Sequence, residues 1–399
     1  MKLHLRAVTA FVFIVAGSLM AQVEPSAYSS LRWRLVGPFR AGRVTSVSGV
    51  PGDPAVYYMA TPNGGIWKTT DGGRVWRPIF DAQQVASVGA VAVSPSRPDI
   101  IYAGTGEQGR GNGVYKSTDA GATWTAAGLA ETHYIANLVV DPRNPEIALV
   151  AANGDREPGP ARGVFRTTNG GKIWAKVLFR DNNTGALDIG FDPDNPREVF
   201  ATLQQLPPLT PGQKPSSGPG AWIYRSADEG ATRKLVEGKG LPATDLGRIG
   251  IAVAPATHGK RVFAIMNQGL FRSDDEGATW RKITADPRII GNGYFSRVFV
   301  DPKNPDTVYV AQTSMYRSTD GGQTFAAWNG APSGDDVHVL WINPRDTRHM
   351  ILGVDQGAIV SRDGGQTWSS WFNQATGQFY TVTTDDQFPY WLYAAQQDS

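Results

Sequence analysis

The sequence predicts an all-β protein: a β-propeller of four-stranded antiparallel blades, seven complete and an eighth partial. Three observations predict it. A short turn motif, Ser/Thr-x-Asp-x-Gly-x-Thr-Trp, recurs seven times, with copies starting 43 to 59 residues apart. Between copies, runs alternating apolar and polar residues are broken by proline at a fixed place, the pattern of half-buried strands joined by tight turns. The chain also has 46 Gly, 27 Pro and no Cys, so it is turn-rich and its core must hold without disulfides. A repeat of this length holds one antiparallel sheet of four strands, and such sheets bury their faces by stacking radially.

The chain opens with "MKLHLRAVTAFVFIVAGSLMAQ", which gives Lys2 and Arg6, an apolar run from Ala7 to Met20 and a small residue, Ala21, at which cleavage can occur. This reads as a secretory signal peptide over 1–21 with a linker over 22–30, and it points to the periplasm or the outside of the cell. The run falls short of the ~18 to 20 residues that span a bilayer, so no membrane span is expected after cleavage. Removing Lys2 and Arg6 takes the formal charge from +2 to 0, and a nucleic-acid partner, which needs a basic excess, is not expected. Without cysteine there is no thiolate nucleophile and no Cys-ligated zinc, and five scattered His support no metal site. No cofactor is expected: serine elbow, HExxH helix and phosphate loop are all missing, and "GTGEQG" leads into no helix.

The propeller is expected over 31–399, with blades near 41–80, 86–129, 135–179, 185–237, 247–284, 294–328 and 336–372. In the sixth, "YFSRVFVDP" is an inner strand, "KNPD" a turn, "TVYVAQT" the second strand, "SMYRSTD" the third and "QTFAAWN" the fourth. Proline cannot donate to a ladder, so its place in "DPRNP", "DPDNP" and "DPKNP" marks the connection between strands one and two. At the ends, "LRWRLVGPF" (Leu31–Phe39) reads as a lone fourth strand, and 378–399 as the first two strands of a further blade that this strand could complete. The missing strand suggests a fragment of a longer chain.

Each position of the motif has a physical use. The acids Asp71, Asp119, Asp228, Asp275, Asp320 and Asp363, and Asn169 in the third copy, can accept backbone N–H bonds across their own turn. Glycine takes the positive φ, and the closing ring buries beneath the hairpin. A calcium loop is the rival, but an EF-hand needs acids at alternate positions and a glutamate at the twelfth, between helices. Arg233 replaces the aromatic of the fourth copy, so that hairpin should be the loosest.

The motif resembles the Asp-box, or bacterial neuraminidase repeat, found in sialidases, xyloglucanase-type glycoside hydrolases, the sortilin receptor domain and photosystem assembly factors. Its spacing, the "DPxNP" turns and the "GGIWKTTDGG" opening look most similar to exported bacterial proteins of the sortilin and xyloglucanase-like group. The resemblance implies that the boxes are structural and face away from the ligand. It also implies a second propeller in a full-length chain. In xyloglucanase-like enzymes a catalytic Asp stands in the first blade before Gly-Gly; the matching stretch "ATPNGGIW" carries Asn63, and an amide cannot serve as acid or base. Sialidases need an arginine triad and a Phe/Tyr-Arg-Ile-Pro opening, and "PFRAGR" matches only Phe39 and Arg40.

If the turns between strands one and two and between three and four share one face, the remaining loops form the other. These vary most, as a binding face does. They carry the candidates Arg40, Arg43, Asn63, Glu107, Arg110, His133, Tyr134, Asp155, Arg156 and Glu157, and the fourth unit adds a long loop over 204–221. The sequence reading is an exported propeller whose variable face binds a protein, peptide or glycan. The alternative is one propeller of a glycoside hydrolase, whose two carboxylates would stand ~5 to 9.5 Å apart. Enzymatic activity is left open.

Overall fold

The computed structural model describes residues 24–31, 35–155, 157–206, 220–290, 296–330 and 334–397. The signal-peptide region, Arg156 and most of the 204–221 loop therefore lie outside the described residues. Two compact units divide the chain at Gly37/Pro38, and the described part of the first carries one short helical turn, Pro25–Tyr28.

From Pro38 onward the regular structure of the described residues is almost entirely antiparallel sheet, one sheet per repeat. Blades 1 to 6 span 46–78, 88–126, 135–178, 184–235, 250–284 and 297–329, each with four strands paired in sequence order. Blade 7 has three strands over 339–361, and its outer edge is taken by Ser369, whose N–H donates to Val360 O (2.9 Å) while its Oγ accepts from Val360 N (3.0 Å). The partial eighth sheet is the hairpin Phe379–Thr384/Leu392–Gln396. It lies outside the ring, because blade 7 packs directly on blade 1. Val44 N donates to Val354 O (3.1 Å), and Tyr57 meets Trp341 edge-on at 6.0 Å. The lone strand expected at Leu31–Phe39 is not formed at Leu31 or at 35–39, and 32–34 lie outside the described residues.

Innermost strands crowd the axis, so small residues appear where neighbours touch. A Cβ on Gly89 would fall 2.2 Å from Ile135 O of blade 3, and one on Gly250 2.0 Å from Ser296 O beside blade 6. Side chains then bridge the strands: Ser46 Oγ accepts from Val91 N (3.1 Å), and Ser48 Oγ from Val93 N (3.2 Å). Asp188 spans three blades, taking Asn137 Nδ2 of blade 3 at 2.7 Å on one oxygen and Ile251 N of blade 5 at 3.1 Å on the other. Buried polar groups satisfied this way fix blade order as apolar contact alone cannot.

The recurring turn is a closed hydrogen-bond unit. In the sixth copy Ser318 Oγ donates to Asp320 Oδ1 (2.7 Å) and accepts from Gly322 N (2.9 Å), while Asp320 accepts from Gln323 N (2.9 Å) and Thr324 Oγ1 (2.6 Å). Asn169 still takes Ile173 N at 2.9 Å. Two successive positive φ angles build the turn, 72° and 89° at Gly321 and Gly322. The first site tolerates Ala120, Glu229 and Glu276, whereas the second is glycine in all seven copies. Each box also bonds to its own blade's strand 1–2 turn, as Gly321 N does to Asp306 O (2.9 Å), so both sets of turns share one face. Asp320→Ala should cost about 1 kcal/mol, like loss of a capping residue, read by urea unfolding, with ligand binding unchanged. Loss of binding in a folded variant would mean that the faces are reversed.

The box aromatic does more than lie beneath its hairpin: it wedges against the preceding blade. Trp124 of blade 2 donates Nε1–H to Ile79 O (2.8 Å) and meets Phe80 edge-on at 5.2 Å, both at the end of blade 1. Trp174 reaches Ala127 O, Trp280 packs with Phe200 and Val236, Phe325 with Phe263, and Trp368 against Trp328. Trp76 closes the series against Ile351 and Val360 of blade 7. Where Arg233 replaces the ring, a small apolar cavity of about 20 Å³ remains between blades 3 and 4, lined by Leu149, Val177, Val199 and Ala201.

Candidate functional site

The face opposite the boxes carries a polar pocket of about 180 Å³ at the mouth of the central channel. It is built from the approaches to the innermost strands and from two strand 2–3 loops. Arg43, Arg248, Arg297 and His338 stand at or just before the innermost strands of blades 1, 5, 6 and 7, and Tyr134 before that of blade 3. Glu107 and Asn153 come from the strand 2–3 loops of blades 2 and 3.

Arg43 NH2 donates to Glu107 Oε1 at 2.7 Å, and both side chains are largely buried. Glu107 N is held by Ser87 Oγ (3.1 Å), which fixes the loop. The other carboxylate oxygen, Glu107 Oε2, is buried and has no hydrogen-bond partner among the described residues. Asp355 accepts from His338 Nε2 at 2.6 Å and lies 4.0 Å from Arg43 Nε. Burial, reinforced by the guanidinium charges of Arg43, Arg297 and Arg248, pushes His338 down to about 3, so the ring is neutral and donates to Asp355.

This has a consequence for stability. The unfolded chain takes a proton at histidine near 6.5 and the folded one only near 3, so protons favour unfolding between those values. The boxes act lower. Burial raises Asp320, but bonds from Thr324 and Ser318 pull it down to about 2, and Asp363 falls to about 2 chiefly through Thr367. Melting temperature should be flat above about pH 6.5, decline from there and fall more steeply below about pH 4. His338→Asn should flatten the first decline and leave the second.

A second cluster joins three candidates on neighbouring loops. His133 Nδ1 lies 3.0 Å from Arg110 NH2 and 3.1 Å from Asp155 Oδ2, and Arg110 pairs with Asp155 at 3.2 Å. Its loop is pinned by Arg162, a wholly buried arginine whose NH1 donates to Asn153 O (3.0 Å) and whose NH2 donates to Glu157 O (3.1 Å). Burial lowers Arg162 from its ordinary value.

Of the sequence candidates, Arg43, Glu107 and Tyr134 line the pocket, and Arg110, His133 and Asp155 form the second cluster. Asn63 is exposed at the strand 2–3 turn of blade 1, its Oδ1 close to Gly109 of the Glu107 loop. Arg40 stands apart, 5.5 Å over the Phe372 ring, and the side chain of Glu157 faces solvent. Arg248, Arg297 and His338 were not among the candidates. They sit at the head of innermost strands, as Arg43 does, and comparing that position between repeats would have found them. Among the described residues no three His, Asp or Glu converge to hold a metal, and no helix is long and apolar enough to cross a membrane.

The BNR/Asp-box repeat family matches residues 359–370, the seventh box. The chain is 25% identical to a probable oligoxyloglucan-reducing end-specific xyloglucanase of Neosartorya fischeri, covering 76% of this chain and 41% of that protein. It is 29% identical to a xyloglucanase of Acetivibrio thermocellus, covering 67% and 36%. The chain thus spans about two fifths or less of the length of these curated relatives. Among solved structures, the GH74 xyloglucanase from Xanthomonas campestris matches with a TM-score of 0.68 at 19% identity, over 92% of this chain and 59% of that one. YCF48 bound to D1 peptide matches with a TM-score of 0.56 at 14% identity, over 83% and 97%. At such identities the solved structures speak for the fold alone. What the repeats, the closed ring and these likenesses agree on is the kind of protein: an Asp-box β-propeller similar in sequence to part of the xyloglucanases.

Proposed function

We propose that the chain is the glycan-contacting propeller of an exported protein built like a glycoside hydrolase, and that the mouth pocket takes one sugar residue. One observation carries this reading: Glu107, whose Oε2 is buried without a hydrogen-bond partner, lines a polar pocket beside the Arg43 guanidinium. A buried acceptor without a donor is costly, and a sugar hydroxyl supplies that donor. The pocket is smaller than the roughly 300–1,000 Å³ of drug-sized sites, so it fits a terminal residue entering end-on. The relatives named xyloglucanases make xyloglucan oligosaccharides the first ligands to test.

Hydrolysis needs two carboxylates flanking the bond. Asn63 stands where the resemblance places the first, and Asp155 and Asp355 are engaged by His133 and His338. Glu107 is therefore the carboxylate that this propeller brings to the sugar. Calorimetric titration of the purified protein with xyloglucan oligosaccharides should show binding that Glu107→Gln weakens about tenfold or more, with reducing-end release assayed alongside. Binding unchanged by Glu107→Gln would place the ligand elsewhere. Neither binding nor release would favour a protein partner.

A further inference from the structure

We infer that Asn63 is a modification site: its side-chain amide deamidates through the backbone nitrogen of Gly64, turning a neutral residue on the face opposite the boxes into a carboxylate. The inference does not depend on the glycan reading above.

The chain has six Asn-Gly pairs, whose asparagines are Asn63, Asn112, Asn153, Asn169, Asn292 and Asn329. Such a pair is open to this reaction because glycine has no Cβ to keep its nitrogen away from the asparagine carbonyl. The nitrogen of Gly64 attacks Cγ of Asn63, the bond from Cγ to the amide nitrogen breaks, and ammonia leaves with the proton that Gly64 gives up. Water then opens the five-membered imide at either carbonyl, which yields aspartate or isoaspartate.

The fold selects among the pairs, since a side chain tied down by hydrogen bonds does not swing onto the next nitrogen. Asn112 gives Nδ2 to Tyr115 OH at 2.9 Å. Asn169 Oδ1 is held in its box by Thr167 Oγ1 and Ile173 N, and Gly170 N is taken by Glu146 O at 3.0 Å. Asn153 and Asn329 have buried Oδ1 atoms, and Asn292 lies outside the described residues. Asn63 and Gly64 are both exposed, and the Asn63 amide makes no hydrogen bond among the described residues.

One restraint remains at this turn. Gly64 N donates to Thr61 Oγ1 at 2.8 Å, and that bond must open before the nitrogen can attack. The surrounding backbone is fixed, with Thr61 N on Gly65 O (3.0 Å), Gly65 N on Ala86 O (2.8 Å) and Trp67 Nε1 on Gly64 O (2.8 Å). A single hydroxyl therefore gates the reaction. Asn63 Oδ1 sits where a Cβ on Gly109 would meet it at 2.5 Å, so the new charge stands against the loop that carries Glu107. Aspartate keeps the backbone of the turn, whereas isoaspartate lengthens it by one methylene.

The purified chain is held at mildly alkaline pH, where the attacking nitrogen gives up its proton more readily, and sampled over time by peptide mapping with mass spectrometry. The peptide containing Asn63 should convert before those containing Asn112, Asn153, Asn169 and Asn329. Thr61→Ala should speed the conversion about fivefold, the net worth of one hydrogen bond, and Gly64→Ala should slow it. No conversion at Asn63, or faster conversion at any of the other four, overturns the site. An unchanged rate in Thr61→Ala overturns the gating by the hydroxyl. If neither variant folds, the order of conversion in the unmodified protein still decides.

Discussion

Trp124→Ala is expected to destabilise the protein by about 3–5 kcal/mol, the usual cost of deleting a buried ring, while Arg233→Ala changes stability by less than about 0.5 kcal/mol, as an exposed side chain does. Both replace the closing residue of a box, so a purely local role for that position predicts similar effects. The structure predicts the difference because Trp124 is buried against Phe80 and Ile79 of the preceding blade, whereas Arg233 is exposed over a seam that already holds a small cavity. Deleting the ring removes contact from two blades at once. Urea unfolding of the two variants beside the unmodified protein reads the comparison. Equal losses would refute the wedge between blades and return the aromatic to its own hairpin. The same reasoning makes the seam between blades 3 and 4 the first place where the ring should open, which amide exchange would show as weaker protection there.

Asp188→Ala should cost about 3–5 kcal/mol, the range for removing one partner of a buried charged network. Its oxygens take Asn137 Nδ2, Ile189 N and Ile251 N, and it is the acid nearest to Arg297. Removing it strands donors on three blades and a guanidinium at the mouth. Asp188→Asn keeps one acceptor oxygen and should cost less. Thermal melts of both variants decide it, and a loss below about 1 kcal/mol for the alanine variant would show that the inner strands are ordered by packing without this bridge. Asp188→Ala also loosens one wall of the pocket, so weaker ligand binding should accompany the lost stability.

Much of the fold was legible because the repeat is local. A turn whose acid, hydroxyl and glycine lie within five residues closes its own hydrogen bonds, so its seven copies marked seven blades and the strand order within each, while the shared face of the turns came from the structure. The candidate site was legible only in part. Glu107 and Tyr134, which line the pocket, and Arg110, His133 and Asp155, which form the second cluster, were singled out as polar residues of variable loops, and Arg43 came from the "PFRAGR" stretch. Arg248, Arg297 and His338 stand at the heads of regular strands, where only setting the repeats against one another at the Arg43 position picks them out.

The sequence by itself determined the blades: their number, their turns and the structural role of the acids from Asp71 to Asp363. Only the tertiary structure decided how blades meet. The box aromatic packs across a seam, blade 7 closes on blade 1 with the partial hairpin outside the ring, and residues some 300 positions apart, Arg43 and His338, share one pocket. The physical reason is range. Hydrogen bonds inside a turn are settled by neighbours in the chain, whereas the pocket exists only once seven strand ends converge on one axis, which no local pattern records.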